Sequence, residues 1–406
     1  MKVAYYSPLP PERSGIADYS ALLLPALARR IEVAVARRGS RRAPRGADLA
    51  LYHVGNDPEH HWWIVEALRK RPGVVVLHDF VLHHLIAGMT LGRNQGAGYL
   101  DAMQREAGAV GRMLAHGVID GLLPPVWEHR AHEFPLTGEV LPFASGVIVH
   151  SRYAERRVRE HGYAGAVWRI PHPAWPAPVE LPAADLPSGR FVIGAFGHLN
   201  RAKRLPQLLE AFALVRERVP EALLLLVGPL APGLEPELPE GAIHHGYVEE
   251  ERLWSLLAAT DVSVSLRWPT MGETSGVVVR ALSLGRPLVV SDVGWFADLP
   301  DELAVKVPVG GEEVEVLADT LAGLARDPAR RQAMGKAART LAEGEHELER
   351  VAEAYTAALE EAAGGEAVRE AVTAGVAAAA AETGLRPGGE ALGEIADRLR
   401  EVGRGR

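Results

Sequence analysis

The sequence predicts an α/β chain of two doubly wound domains facing across a cleft, followed by a further helix and a helical tail. Three observations carry this expectation. Short β-branched runs alternate with longer segments whose apolar residues recur at helical spacing, the pattern of parallel strands covered by helices on both faces. The alternation stops in a proline-rich stretch, 171–187, and then restarts. With 406 residues, the chain is long enough to bury two cores.

The first run, Lys2–Tyr6, is apolar and ends at Ser7-Pro8. Segment 17–30 places Leu22, Leu23, Leu27 and Ala28 at helical spacing. Strands are expected at 31–36, 47–53, Gly73–Leu77 and 146–149, and helices at 59–70, 100–117 and 153–160. After the prolines come strands 191–195, 223–227, 243–245, 262–266 and 287–291, with helices 205–219, 250–259 and 277–284. An amphipathic helix, 345–362, follows. The Ala- and Glu-rich tail carries candidate helices at 367–383 and 390–402. These patterns divide the chain into domain 1–173, linker 174–189, domain 190–344, crossover helix 345–362 and tail 363–406. Ligands of such sheets bind at the carboxyl ends of the strands, so the interdomain cleft is the expected site.

Composition removes several classes of function. With no cysteine, the chain has no disulfide framework, thiolate metal site or cysteine nucleophile, and it fits a reducing cytoplasm. The opening MKVAYYSPLP is too short and polar for a signal peptide. No apolar run approaches the roughly 18–20 residues of a membrane span, so a soluble, cytoplasmic protein is expected. The net charge is −8, yet residues 1–185 hold 21 Lys and Arg against 18 Asp and Glu. Much of that excess lies at Arg29, Arg30, Arg37, Arg38, Arg41, Arg42 and Arg45. A solvated loop is its plain reading; the sharper one is a peripheral contact with anionic headgroups at the inner membrane surface, or with an anionic acceptor. The acidic chain shows no nucleic-acid-binding module.

Three strand-to-helix turns could carry chemistry. PLPPERSGIADYS follows the first strand and opens a helix, presenting free N–H groups and a positive dipole end near Ser14 and Gly15. Its single Gly15 is not a dinucleotide fingerprint, and a bare turn explains it as readily as a phosphate site. FGHLNRAKRLPQ sets His198, Arg201, Lys203 and Arg204 between a strand and a helix, where cations oppose the dipole but suit a diphosphate. RWPTMGETSG places Thr274, Ser275 and Gly276 before an apolar helix, with Glu273 beside them. HDFVLHH holds three of the 16 histidines, but His78, His83 and His84 lack the i, i+4 pairing of a helical zinc site, and no DxD pair occurs. No metal and no bound cofactor are expected.

Together with GYVEEERLWSLLAATDVSVSL and GETSGVVVRALSLGRPLVVSDVG, these blocks resemble the retaining glycosyltransferase family 4, over about residues 1–362. The resemblance implies the two-Rossmann architecture called GT-B, its C-terminal helix packing back on the N-terminal domain. It implies a nucleotide-sugar donor held mainly by the second domain. The donor diphosphate would fall to Ser14, Gly15, His198, Arg201, Lys203, Ser275 and Gly276, and the nucleoside to Tyr247 and Val248. His78, with Asp79 beside it, would lie near sugar and acceptor, and Glu273 would bond sugar hydroxyls. In that family a second glutamate holds the ribose; here ALSLGRPLVVSD puts Arg280 at its position, and Glu273 matches the first glutamate with a one-residue shift.

The implied activity is hexose transfer from a nucleoside-diphosphate sugar to a carbohydrate, lipid-linked or small-molecule acceptor, with retention and without metal. A nucleotide-sugar epimerase and a non-catalytic glycosyltransferase-like subunit are the rivals. A dinucleotide oxidoreductase would need the glycine fingerprint that is absent.

Overall fold

A computed structural model describes residues 1–40 and 42–364, with 375, 376 and 379. The chain divides into two compact units, one running Met1–Ile170 and taken up again from Ala352, the other Pro171–Val351. Each is a six-stranded, all-parallel sheet with helices, as the alternation predicts.

In the first unit the chain runs β1 (Lys2–Tyr6), α1 (Gly15–Ala28), β2 (Glu32–Val35), β3 (Leu49–Val54), α2 (Pro58–Lys70) and β4 (Gly73–Leu77). It continues through α3 (His83–Thr90), α4 (Gly96–Ile119), α5 (Val126–His129), β5 (Ala144–Val149), α6 (Arg152–Glu160) and β6 (Val167–Arg169). The strand order is β2-β1-β3-β4-β5-β6. The chain therefore reverses direction across the sheet between β1 and β3, which opens a crevice at their carboxyl ends. Strands β3, β4 and β5 are buried along their whole length, which is why they read as continuous apolar runs. Helix α2 shows how local chemistry sets an end: Asp57 caps it by accepting from Glu59 N at 2.7 Å, Pro58 opens it, and Arg69 and Lys70 close it.

The second unit runs β7 (Phe191–Phe196), α7 (Leu205–Arg218), β8 (Ala222–Val227), β9 (Ala242–His245), α8 (Glu250–Ala258), β10 (Val262–Ser265) and α9 (Gly276–Ser283). Then come β11 (Leu288–Ser291), α10 (Gly294–Asp298), β12 (Ala304–Val307), α11 (Glu313–Arg326), α12 (Pro328–Gly344) and α13 (Leu348–Ala363). The order β12-β11-β10-β7-β8-β9 puts the reversal between β7 and β10. From Ala352 onward α13 joins the first unit, where Tyr355 and Tyr19 hydroxyls meet at 2.7 Å. The expected return of this helix to the N-terminal domain is thus observed.

Three expectations need amendment. The single helix over 100–117 is two arms, because Gly108 adopts φ 59 next to a non-helical Ala107, and Arg112 folds back to within 3.3 Å of Asp101. Segment 301–344, unassigned by pattern, forms β12, α11 and α12. The linker carries no helix or strand, but its start is packed: Trp175 is buried and Ala174 N donates to His346 O at 2.7 Å. The tail helices, apart from 375, 376 and 379, and Arg41 lie outside the described residues. Among those described, no helix is long and apolar enough to cross a membrane.

Candidate functional site

The chemistry of the second unit gathers at the switch point between β7 and β10. Past Phe196 the chain turns at Gly197, whose φ of +94° suits glycine, and Gly228 lets the β8 end come close. A Cβ on Gly228 would lie 2.2 Å from Gly197 O, and one on Gly197 would lie 3.1 Å from the Lys203 ammonium. Asn200 then caps the turn by accepting from Lys203 N at 3.2 Å. This aims the Lys203 amine back over the strand end, where it donates to Phe196 O at 2.8 Å. Burial pushes that amine down to about 7; the charge of Arg267 adds to this, and Glu273 opposes it. His198 and Arg201 stand exposed on the same turn. Arg204 does not join them: it pairs with the buried carboxylate of Glu313 and serves the fold. The expected set of four cations is therefore corrected to three. A carboxylate reachable only through the tertiary fold absorbed the fourth.

The turn after β10 supplies the facing wall. Arg267 sits 2.8 Å from Glu273 Oε1, and its own N–H donates to Ser291 Oγ at 2.9 Å. The other oxygen of Glu273 accepts from Met271 N at 2.8 Å and from Thr270 Oγ1 at 3.2 Å. Glu273 thus has partners on both oxygens, holding a tight loop while keeping spare lone pairs. Ser275 is buried and caps α9 by accepting from Val278 N at 3.4 Å, so the N–H of Gly276 and the half-buried Thr274 open this anion-ready terminus.

Arg280 lies one turn into α9. Its guanidinium rests 3.7 Å from the Trp175 ring centre, 3.4 Å from Glu250 Oε1 and 3.5 Å from Gly276 O. Only 7% of this side chain is exposed. A nucleoside role requires a presented side chain, and Arg280 is instead occupied by the wall of its own domain. Tyr247 is 56% exposed and Val248 half-buried, on the loop between β9 and α8.

In the first unit Ser14 caps α1 by accepting from Ile16 N at 3.2 Å, and Gly15 faces open space. The carboxyl ends of three adjacent strands carry histidines: His53 in β3, His78 after β4 and His150 after β5. His53 Nδ1 lies 3.0 Å from His78 Nε2, and His78 and His150 rings are 5.1 Å apart. Tyr19 packs edge-on to His78 at 4.7 Å. Burial drives the His53 pKa well down, helped by His150 and His61, so it stays neutral. His53 Nε2 is buried with no hydrogen-bond partner among the described residues. An orphaned acceptor is tolerated better than an orphaned N–H, so His53 donates from Nδ1 and His78 carries its proton on Nδ1. Asp79 accepts from Asn56 N at 2.8 Å and so ties the β3 and β4 ends together.

The sequence reading singled out His78 and missed His53, His61, His150 and Arg267. The available signal was position: each but His61 lies at or just beyond the carboxyl end of a strand. His83 and His84 diverge from His78, His83 Nε2 meeting Tyr99 at 2.8 Å and His84 Nε2 lying 3.5 Å from Glu128. Among the described residues no three His, Asp or Glu side chains are arranged to hold a metal ion.

Fold and site together define an α/β protein of two doubly wound units, the second with a lysine and a helix N-terminus converging at its switch point. Residues 180–341, within the second unit but for its ends, match the family model described as glycosyl transferases group 1, and this is the part of the chain to which the likeness extends. Two curated relatives, both named D-inositol 3-phosphate glycosyltransferase, are similar in sequence. The one from Arthrobacter sp. (strain FB24) is 29% identical over 171 residues, 39% of this chain and 40% of that protein. The one from Corynebacterium urealyticum is 31% identical over 169 residues, 38% of this chain and 39% of that protein. The matched region thus spans about two fifths of the length of these relatives. Among solved structures, sucrose-phosphate synthase from Thermosynechococcus elongatus aligns with TM-score 0.62 at 18% identity, covering 89% of this chain and 98% of that one. Anabaena Alr3699/HepE in complex with UDP and glucose aligns with TM-score 0.58 at 16% identity, covering 89% and 100%. At such identities the likeness is one of fold.

Proposed function

We propose that this chain is a glycosyltransferase that moves a hexose from a nucleoside-diphosphate sugar to a carbohydrate, lipid-linked or small-molecule acceptor. The observation that supports this best is the Lys203 amine, enclosed at the switch point and facing Arg267, Glu273 and the start of α9. A buried amine near neutrality regains its charge when an anion arrives, and an enclosed cation stabilises a leaving diphosphate more than a solvated one does. His198, Arg201 and the N–H groups around Ser275 and Gly276 complete the diphosphate site of the second unit; in the first unit, Ser14 and Gly15 are proposed to meet an anionic group at the start of α1. Tyr247 and Val248 meet the base, Glu273 the sugar hydroxyls, and His78 the sugar or acceptor through its Nδ1 proton. The proposed reaction proceeds with retention and draws its charge stabilisation from these side chains rather than from a metal. Exposed Arg42 and Arg45 support a peripheral contact with an anionic surface.

The second reading, a non-catalytic subunit, is favoured by one observation: Arg280 is taken up by Trp175 and Glu250 where the resemblance calls for a ribose ligand. Thermal stabilisation by a panel of nucleotides and nucleotide-sugars, without divalent metal and then with it, separates the two. The transferase reading expects one nucleoside diphosphate and its sugar to stabilise the protein, by about 2.7 kcal/mol at a hundred times Kd, with chelator making no difference. Stabilisation by none of them overturns it. An altered sugar-nucleotide formed without acceptor would identify an epimerase instead.

A further inference from the structure

A cavity lies in the second unit, at the opposite ends of the strands from Lys203. It has a volume of about 860 Å³ and is lined by the segment Gly285–Pro287, by Asp261 just before β10, and by the first three turns of α12. Arg286, Arg331, Lys336 and Arg339 all line it, against the single carboxylate of Asp261.

The packing that gathers these cations has a specific cause. Gly285 adopts φ +64°, and a Cβ on Gly335 would lie 2.3 Å from Gly285 O. Only two glycines allow the loop and α12 to approach so closely, and that approach sets Arg286 beside the helix that carries Lys336 and Arg339. Burial holds the Arg286 guanidinium below its ordinary value; Asp261 offsets this in part, and the charge of Arg339 adds to it.

Part of this charge is already used by the fold. Arg286 donates to Thr260 O at 2.9 Å, and its buried Nε has no partner among the described residues. Arg331 caps the end of α11 through Leu324 O and Ala325 O and lies 3.8 Å from Asp261. Asp261 in turn accepts from Val192 N at 2.8 Å. Arg339 makes one long contact, 3.4 Å to Leu284 O, and the Lys336 ammonium has no hydrogen bond or ion pair among the described residues, its carbonyl alone accepting from Thr340 Oγ1 at 3.0 Å. Positive charge therefore exceeds what the lining itself neutralises, inside a concave surface whose remaining walls are Pro, Ala and Gly with the neutral amide of Gln332.

We propose that this cavity is a second binding site, taking a small phosphate-bearing solute with two or more negative charges, with Lys336 and Arg339 as its principal ligands. A guanidinium meets phosphate oxygens in pairs, and an ammonium beside it adds a second positive charge to the same wall. The site is separate from the donor diphosphate site and does not depend on the transferase reading.

The test uses pyrophosphate and inorganic phosphate as probes, read by calorimetry on the full chain carrying Lys203→Ala, so that the switch-point site is disabled. Binding should persist in that variant and weaken at least tenfold when Lys336→Gln and Arg339→Gln are added. Both added changes lie at exposed positions, and an unchanged melting temperature checks the fold. Sodium chloride at matched ionic strength should not reproduce the effect. Absence of binding, equal binding with and without the added changes, or an equal response to chloride would each overturn the assignment.

Discussion

The Arg280 guanidinium lies 3.7 Å from the centre of the Trp175 ring, so the last helix before β11 is fastened to the segment that enters the second unit. A flat cation on an indole face is worth about 2 kcal/mol once desolvated, and the exposed Glu250 adds little.

Arg280→Ala should therefore lower stability by about 1–3 kcal/mol, and Arg280→Lys by an intermediate amount, since an ammonium keeps charge but not planarity. Urea unfolding of the full chain checks this. A neutral effect from Arg280→Ala would mean that the stack does not hold the segment and that Arg280 is free to meet a ligand.

On the proposed function, Lys203 would link activity to pH. Lys203→Ala should reduce turnover about a hundredfold, corresponding to about 2.7 kcal/mol of transition-state stabilisation. Its amine sits at about 7 in the folded chain, well below the ordinary 10.5, so between these values the unfolded chain binds the extra proton. Stability should rise with pH across that window, and Lys203→Met should flatten the rise. Nucleoside diphosphate binding should draw in a proton near pH 8, seen as a dependence of calorimetric heat on buffer.

On the proposed function, His53 would act through His78, whose Nε2 lies 3.0 Å from its Nδ1. Removing its 3.0 Å contact in His53→Ala should lower kcat about tenfold, roughly 1.4 kcal/mol, with KM little changed. His53→Asn retains a donor near Nδ1 and should recover part of the loss. An unaltered His78 ring tautomer in the alanine variant, read by nitrogen NMR, would remove the positioning role.

Acid should weaken the first unit before the second. His53 is held well below 6.5 and His61 at about 4, in both cases chiefly by burial. Between pH 6.5 and 4 the unfolded chain takes protons that these rings refuse, so stability falls as pH drops through that range. Unfolding midpoints measured at several pH values should show this slope, and His61→Phe should reduce it.

The two-sheet architecture was legible along the chain because it is written in local periodicity: buried parallel strands such as Gly73–Leu77 are continuous apolar runs, and helices repeat at their own spacing. The turns where chemistry could gather were legible too, since Ser14, Asn200 and Ser275 are caps that a sequence displays directly. Sequence spacing also separates the Gly15 turn from a dinucleotide fingerprint. What it could not assign was the partner of each charge. Arg204 and Arg201 look alike three residues apart, yet one meets Glu313 across 109 positions and the other stands exposed. Likewise His53, His78 and His150 become one cluster only because β3, β4 and β5 are neighbours in the sheet. Hydrophobic patterning is a property of nearest neighbours in sequence, whereas the charge and tautomer of a buried group depend on neighbours in space, and only the tertiary structure supplies those.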